Sequence, residues 1–253
     1  MGAGFSPRWD GSPDPSDPRL NVNWTALENR PHMIAFVAEC SALMQFTLPK
    51  IYPITDKKLA QKTSHLSIVR ELVRGGAQLI QVRDKSTPAR ELLLDLKRCA
   101  EFADSKNVTL IVNDRCDLVL SCDAAGVHLG QEDLPPDAAR VLLGPNKIIG
   151  LSTHSLKQVH RSSVMPVQYI GFGPVYATPS KEDPSPVVGL DGLARACRAS
   201  TKPVVAIGGI SLDQVAEVLQ AGAASVAVIS ALMTAANLAR RMELFLEKAR
   251  VRQ

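Results

Sequence analysis

Aromatic side chains are scarce in this sequence, at 4% of 253 residues. A surface that stacks bases needs aromatics interleaved with cations, and lysine and arginine here are scattered without a basic run. Nucleic acid is therefore excluded as the expected partner. Nowhere does the chain approach the roughly 20 uninterrupted apolar residues that a bilayer span takes, so no membrane partner is expected either. A secretory leader is missing too, since no basic segment precedes an adequate apolar core, and the early acidic residues argue against a transit peptide. The five cysteines, Cys40, Cys99, Cys116, Cys122 and Cys197, are odd in number and form no CxxC pair. That excludes a disulfide framework or a zinc ribbon and leaves reduced thiols, small apolar groups in a cytoplasmic protein. Oligomeric state is not legible.

What is present falls into two parts. Residues 1–47 hold Arg8, Arg19 and Arg30 against Asp10, Asp14, Asp17, Glu28 and Glu39, which leaves that stretch at −2 and the rest at +6. Residues 1–31 are rich in Pro, Asp, Ser and Gly and cannot bury a core, so they read as a disordered, dispensable tail. Met33–Phe46 is more apolar and reads as a short helix lying on the domain, with Met33 or Met44 as alternative starts. The mild positive excess of the remainder suits an anionic substrate.

From residue 48 to 253 the pattern is regular. Short apolar runs at Ile51–Thr55, Leu79–Arg83, Val108–Asn113, Gly126–Leu129, Lys147–Leu151, Tyr169–Phe172, Val204–Ile207 and Ser225–Ile229 alternate with amphipathic stretches, as in repeated βα units. Leu66, Val69, Leu72 and Val73 keep helical spacing up to Gly75-Gly76, and Leu212, Val215, Val218 and Leu219 do so up to Gly222. Ser155 with Gln158 and Ser211 with Gln214 read as capping boxes. Small residues precede several strands, as tight turns at the bottom of a barrel require. Eight such units predict a single (β/α)8 TIM barrel of α/β class, where six would favour an open sheet.

Polar residues gather at the C-terminal ends of these strands, the face on which barrel active sites lie. Arg83 and Lys85, two apart on an extended segment, project to one side, and Lys181 from the long sixth loop adds a third cation. Asp114 and Asp133 end neighbouring strands. Carboxylates beside cations suit a polyphosphate held through Mg2+, which takes one or two protein carboxylates and completes its shell with phosphate oxygens and water. Asp114 also fits the N-cap of a helix over Asp114–Ser121. Gly208-Gly209 after the seventh strand and Ile229-Ser230 after the eighth occupy the usual phosphate site of this fold. His154, next to the capping Ser155, and His128, within a strand, read as structural. Cys116 has no partners for a nucleophile's role. Two anionic subsites in one pocket imply a transfer between their ligands.

The ordered set Gln81-Val82-Arg83-Asp84-Lys85, Asn113-Asp114, Gly126 to Asp133, Gly150-Leu151-Ser152, Gly173-Pro174-Val175-Tyr176, Thr178-Pro179-Ser180-Lys181, Ile207-Gly208-Gly209-Ile210 and Ile229-Ser230 resembles the thiamine phosphate synthase family over residues 48–253. The resemblance implies a Mg2+-dependent transferase that joins hydroxymethylpyrimidine diphosphate to thiazole phosphate, or to its carboxylated precursor, and releases diphosphate. It implies that Gln81, Arg83, Lys85, Asn113, Ser152 and Lys181 bind the pyrimidine diphosphate, with Arg83, Lys85, Ser152 and Lys181 closest to the chemistry. Asp114 and Asp133 would hold Mg2+. Thr178, Pro179, Ser180, Gly209, Ile229 and Ser230 would take the thiazole phosphate. The extension 1–47 departs from the family pattern, and Ser180 stands where threonine is common. A thiazole tautomerase-like paralogue and a non-catalytic thiazole phosphate-binding barrel are the alternatives; Asn113-Asp114, Gln131-Glu132-Asp133 and Lys181 favour the synthase.

Overall fold

The computed structural model describes residues 46–178 and 186–250. The expectations for the tail 1–45, like those for Pro179, Ser180 and Lys181, lie outside the described residues.

Eight parallel strands alternate with helices. The strands are β1 (Ile51–Pro53), β2 (Leu79–Val82), β3 (Thr109–Asn113), β4 (Gly126–Leu129), β5 (Ile148–Thr153), β6 (Tyr169–Phe172), β7 (Val204–Ala206) and β8 (Ser225–Val228). They pair in the order β1-β8-β7-β6-β5-β4-β3-β2. The remaining seam, β1 to β2, is joined by a parallel bridge between Ile54 and Gln81 and by the Thr55 amide donating to the Gln81 carbonyl at 2.8 Å. The expected TIM barrel is therefore the fold, each strand within about two residues of its predicted bounds.

Among the described residues the helices are α1 (His65–Arg74), α2 (Ala89–Asp104), α3 (Cys116–Cys122), α4 (Pro136–Leu143), α5 (Leu156–Ser162), α6 (Gly189–Ala199), α7 (Val215–Gln220), the short α8 (Ser230–Met233) and α9 (Leu238–Ala249). None is long and apolar enough to cross a membrane. In α1 the buried stripe is His65, Ile68, Val69 and Leu72, the i, i+3, i+4, i+7 face of a helix lying on a sheet. Leu66 and Val73, expected on that stripe, are only half-buried at its edge. The helix ends at Gly75, where α9 passes so close that a Cβ would meet the Ala239 carbonyl and stand 2.7 Å from Met242 Cβ, which leaves room for glycine alone. Leu212 falls in the turn before α7 rather than in the helix. Cys99, Cys116 and Cys122 are buried and Cys197 half-buried, all as free thiols.

The capping boxes are realised differently from expectation. Ser155 does cap α5, its Oγ accepting from the Gln158 amide at 3.3 Å, but the Gln158 side chain returns to the His154 amide at 2.7 Å. Gln214 reaches back to the Ser211 amide at 2.9 Å, yet a turn intervenes and α7 begins only at Val215. Nor is Asp114 a helix cap. The next helix starts at Cys116, and Asp114 stands in the left-handed region at φ 62°.

Two apolar clusters make up the core. The larger packs outward-facing strand residues such as Ile80, Val112, Val127 and Ile149 against the helices. The smaller fills the barrel with Tyr52, Ile54, Leu79, Ile111, Ile148, Tyr169, Val205 and Ala227, the alternate positions of the same strands. Phe46 packs on this inner cluster, its ring centroid 5.9 Å from that of Tyr169. Apolar filling thus occupies the lower barrel and leaves polar positions to the mouth.

Candidate active site

One cavity opens at the C-terminal ends of the strands, and every strand contributes to it. Of the fourteen candidate residues, eleven line it: Gln81, Arg83 and Lys85 after β2, Asn113 and Asp114 at β3, Asp133 after β4, Ser152 on β5, Thr178 after β6, Gly209 after β7, and Ile229 and Ser230 after β8. The other three are Pro179, Ser180 and Lys181, named above.

One side of the mouth is charged. The Lys85 ammonium lies 3.4 Å from an Asp114 carboxylate oxygen. Asp133 is within hydrogen-bonding reach of Asp114, and its Oδ2 also accepts from the Gly130 amide at 2.6 Å. Partial burial raises the pKa of Asp114, and the facing Asp133 carboxyl raises it further, with Lys85 pulling the other way. Two carboxylates this close repel unless a proton or a cation lies between them. The left-handed backbone at Asp114, fixed by its amide donating to the His128 carbonyl at 2.9 Å, turns the side chain to Asp133 and not to the amides of α3.

The floor is polar and closed. Gln81 Nε2 donates to the Tyr52 hydroxyl at 3.1 Å; the Tyr52 and Tyr169 hydroxyls are 2.8 Å apart. Tyr169 meets His128 Nδ1 at 3.1 Å, and His128 Nε2 meets Ser152 Oγ at 3.0 Å. Burial pushes both phenols above their ordinary range, so both keep their protons. Running from Gln81 through Tyr52 and Tyr169 to His128 and Ser152, the chain gives every donor an acceptor. The reverse direction would leave the Tyr52 hydrogen without one among these groups. In this arrangement Ser152 accepts from His128 Nε2.

The glycines opposite explain how the rings fit. A Cβ on Gly150 would collide with the Tyr169 ring and stand 2.6 Å from His128 Nδ1. His128, expected to pack against a neighbour, does so, stacked on Tyr169 with centroids 5.5 Å apart, but it also lines the cavity. Tyr52 and Tyr169 were not singled out from the sequence. The available signal was the pairing of inward-facing bulky residues with glycines at Gly150 and Gly171 on neighbouring strands. His154 holds the loop after β6, its Nδ1 2.7 Å from the Gly173 carbonyl.

The side across from the carboxylates is made of backbone. Gly208 and Gly209 have φ of 101° and 66°. A Cβ at Gly208 would stand 2.5 Å from Pro174 Cα, and one at Gly209 would press on the Ala177 and Tyr176 carbonyls. The turn therefore lets the β6 loop lie directly on it, with the Tyr176 amide donating to the Gly208 carbonyl at 3.0 Å. Ile229 and Ser230 open α8 beside it.

A sequence model described as thiamine monophosphate synthase matches residues 51–232. The chain is 44% identical over 191 residues to thiamine-phosphate synthase of Salinibacter ruber, an alignment that covers 76% of this chain and 84% of that one. It is 43% identical over 204 residues to thiamine-phosphate synthase of Moorella thermoacetica, covering 79% and 97%. Among solved structures, thiamine phosphate pyrophosphorylase of Pyrococcus furiosus superposes with a TM-score of 0.73 at 37% identity, covering 79% of this chain and 95% of that one.

Proposed function

The chain belongs to the thiamine monophosphate synthase family of transferases in thiamine biosynthesis, and from that premise we propose that its cavity joins hydroxymethylpyrimidine diphosphate to thiazole phosphate with release of diphosphate. The observation that supports this best is the division of one cavity into a charged side and a backbone side. Arg83 and Lys85, with Lys181, bind the diphosphate; Gln81, Asn113 and Ser152 orient the pyrimidine. Thr178, Pro179, Ser180, Gly209, Ile229 and Ser230 take the thiazole phosphate.

The Asp114–Asp133 pair offers hard oxygen donors whose mutual repulsion a divalent cation relieves, a donor set that fits Mg2+. When bound there, Mg2+ neutralises charge on the leaving diphosphate. The three cations would serve the same end, which favours bond breaking before bond making. The pyrimidine methylene then carries positive charge until the thiazole nitrogen attacks it, and the step calls for no general base.

The test is direct. Purified protein with both substrates and Mg2+ is expected to form thiamine phosphate and diphosphate, and to stop when a chelator is added. Isomerisation of the thiazole without diphosphate release would replace this reading with the tautomerase.

A further inference from the structure

Asp84 sits between the two cations of the β2 loop, yet it faces away from them. Arg83 and Lys85 line the cavity, whereas the Asp84 side chain is 4% exposed and turned to the barrel wall. Six donors meet its carboxylate. Oδ1 accepts from the Ser86 amide at 2.9 Å, the Ser86 hydroxyl at 3.2 Å and the Thr87 amide at 2.9 Å. Oδ2 accepts from the Thr87 hydroxyl at 2.7 Å, His65 Nε2 at 3.1 Å and the Lys57 ammonium at 3.0 Å. Burial alone would raise the pKa of this group, but the Thr87, Ser86 and Lys57 donors more than offset it and hold Asp84 well below the usual carboxylate range.

The network continues to the other end of the loop. Since Nε2 of His65 faces an acceptor-only carboxylate, it carries the hydrogen. Burial keeps the ring neutral, so Nδ1 accepts from the Thr55 hydroxyl at 2.8 Å. Thr55 Oγ1 in turn accepts from the Arg83 amide at 3.2 Å. His65 is itself fixed, its amide donating to Asp95 at 2.6 Å. Threonine, histidine and aspartate in a row look like a hydrolytic triad, but His65 and Thr55 are fully buried and cannot meet a substrate. The network instead ends on backbone amides at both sides of the loop: that of Arg83, which donates to Thr55, and those of Ser86 and Thr87 after Lys85, which donate to Asp84.

We infer that Asp84, His65 and Thr55 form a positioning device that holds Arg83 and Lys85 toward the polyphosphate, acting through those cations and not on the substrate. The device joins β1, α1 and the β2 loop, so the two like charges are presented together despite their repulsion. It rests on the proposed placement of the diphosphate at this side of the mouth.

Calorimetry with inorganic diphosphate and Mg2+, beside steady-state kinetics, tests it. Asp84→Asn is expected to weaken diphosphate binding by about tenfold, the scale of one charge-assisted hydrogen bond. The KM for the pyrimidine diphosphate should rise to match, and the KM for thiazole phosphate should stay unchanged. Thr55→Val, of the same shape without the hydroxyl, should weaken diphosphate binding, and Thr55→Ser should restore it; this pair decides the matter if Asp84→Asn does not fold. Unchanged diphosphate affinity in Asp84→Asn and Thr55→Val, or both KM values rising together, would overturn the inference. Failure of the parent protein to bind diphosphate would instead remove the diphosphate reading, and the inference with it.

Discussion

Asp84 and Asp114 end neighbouring strands of one barrel, and their surroundings are opposite. Asp84 is met by six donors, its charge is welcome, and its pKa lies far below the ordinary range. Asp114 meets another carboxyl and one lysine, and its pKa is raised. A carboxylate with every lone pair engaged holds structure together; one whose nearest partner repels it is poised to bind something positive. Residue type and strand position are the same in both cases. The difference lies in what the rest of the fold brings up to each.

The largest effect expected from breaking this contrast is on turnover. Asp114→Asn and Asp133→Asn each remove one charge of the pair, and asparagine tolerates the left-handed backbone at 114, so the fold should persist. Steady-state assays should show kcat lowered by about a hundredfold or more, as for loss of one preorganised electrostatic contact. Full turnover in both variants would take the pair out of the chemistry.

Stability should respond next, with opposite slopes in pH. Asp84 binds its proton less readily folded than unfolded, so its contribution is present above the ordinary carboxylate pKa and is lost as pH falls through its depressed folded value. Asp114 binds its proton more readily folded, so in chelator stability declines as pH rises from the ordinary carboxylate pKa through its raised value. Thermal melts in chelator at neutral pH should show Asp84→Asn destabilised by about 1–3 kcal/mol, the cost of weakening a buried hydrogen-bonded network. Asp114→Asn should melt above the parent there, and both differences should shrink toward acid. A parallel shift in the two variants would show that the carboxylates do not differ as described.

Smaller effects sharpen the contrast between the charged and backbone sides of the cavity. Ser230→Ala should raise the KM for thiazole phosphate by up to about tenfold with kcat nearly unchanged, since it removes binding common to ground and transition states. Arg83→Ala and Lys181→Ala should harm the diphosphate substrate instead. An unchanged thiazole KM in Ser230→Ala would mean that the phosphate lies elsewhere. Smallest of all, Phe46→Ala should lower stability by about 1–2 kcal/mol, from apolar area lost against Tyr169, and leave both KM values alone.

The eight strand units and the concentration of polar residues at their C-terminal ends were legible in the sequence, because strand alternation and βα periodicity are local properties of the chain. Arg83 and Lys85 share a side for the same reason. Asp114 was ambiguous in sequence, since an aspartate ahead of a helix suits a cap as well as a site. Only its left-handed backbone and the approach of Asp133 from the next strand resolve the ambiguity. Tyr52, Tyr169 and His128 could not be linked from sequence, for their hydrogen bonds join β1, β6 and β4 across the barrel. The same holds for Thr55, His65 and Asp84, whose one carboxylate gathers donors from three elements. Periodicity, then, determined the barrel and the face that carries chemistry, since each strand's alternation acts over a few residues. Which polar groups touch, and with what protonation, was decided by barrel closure, because hydrogen bonds and pKa values depend on distances that only the closed sheet sets.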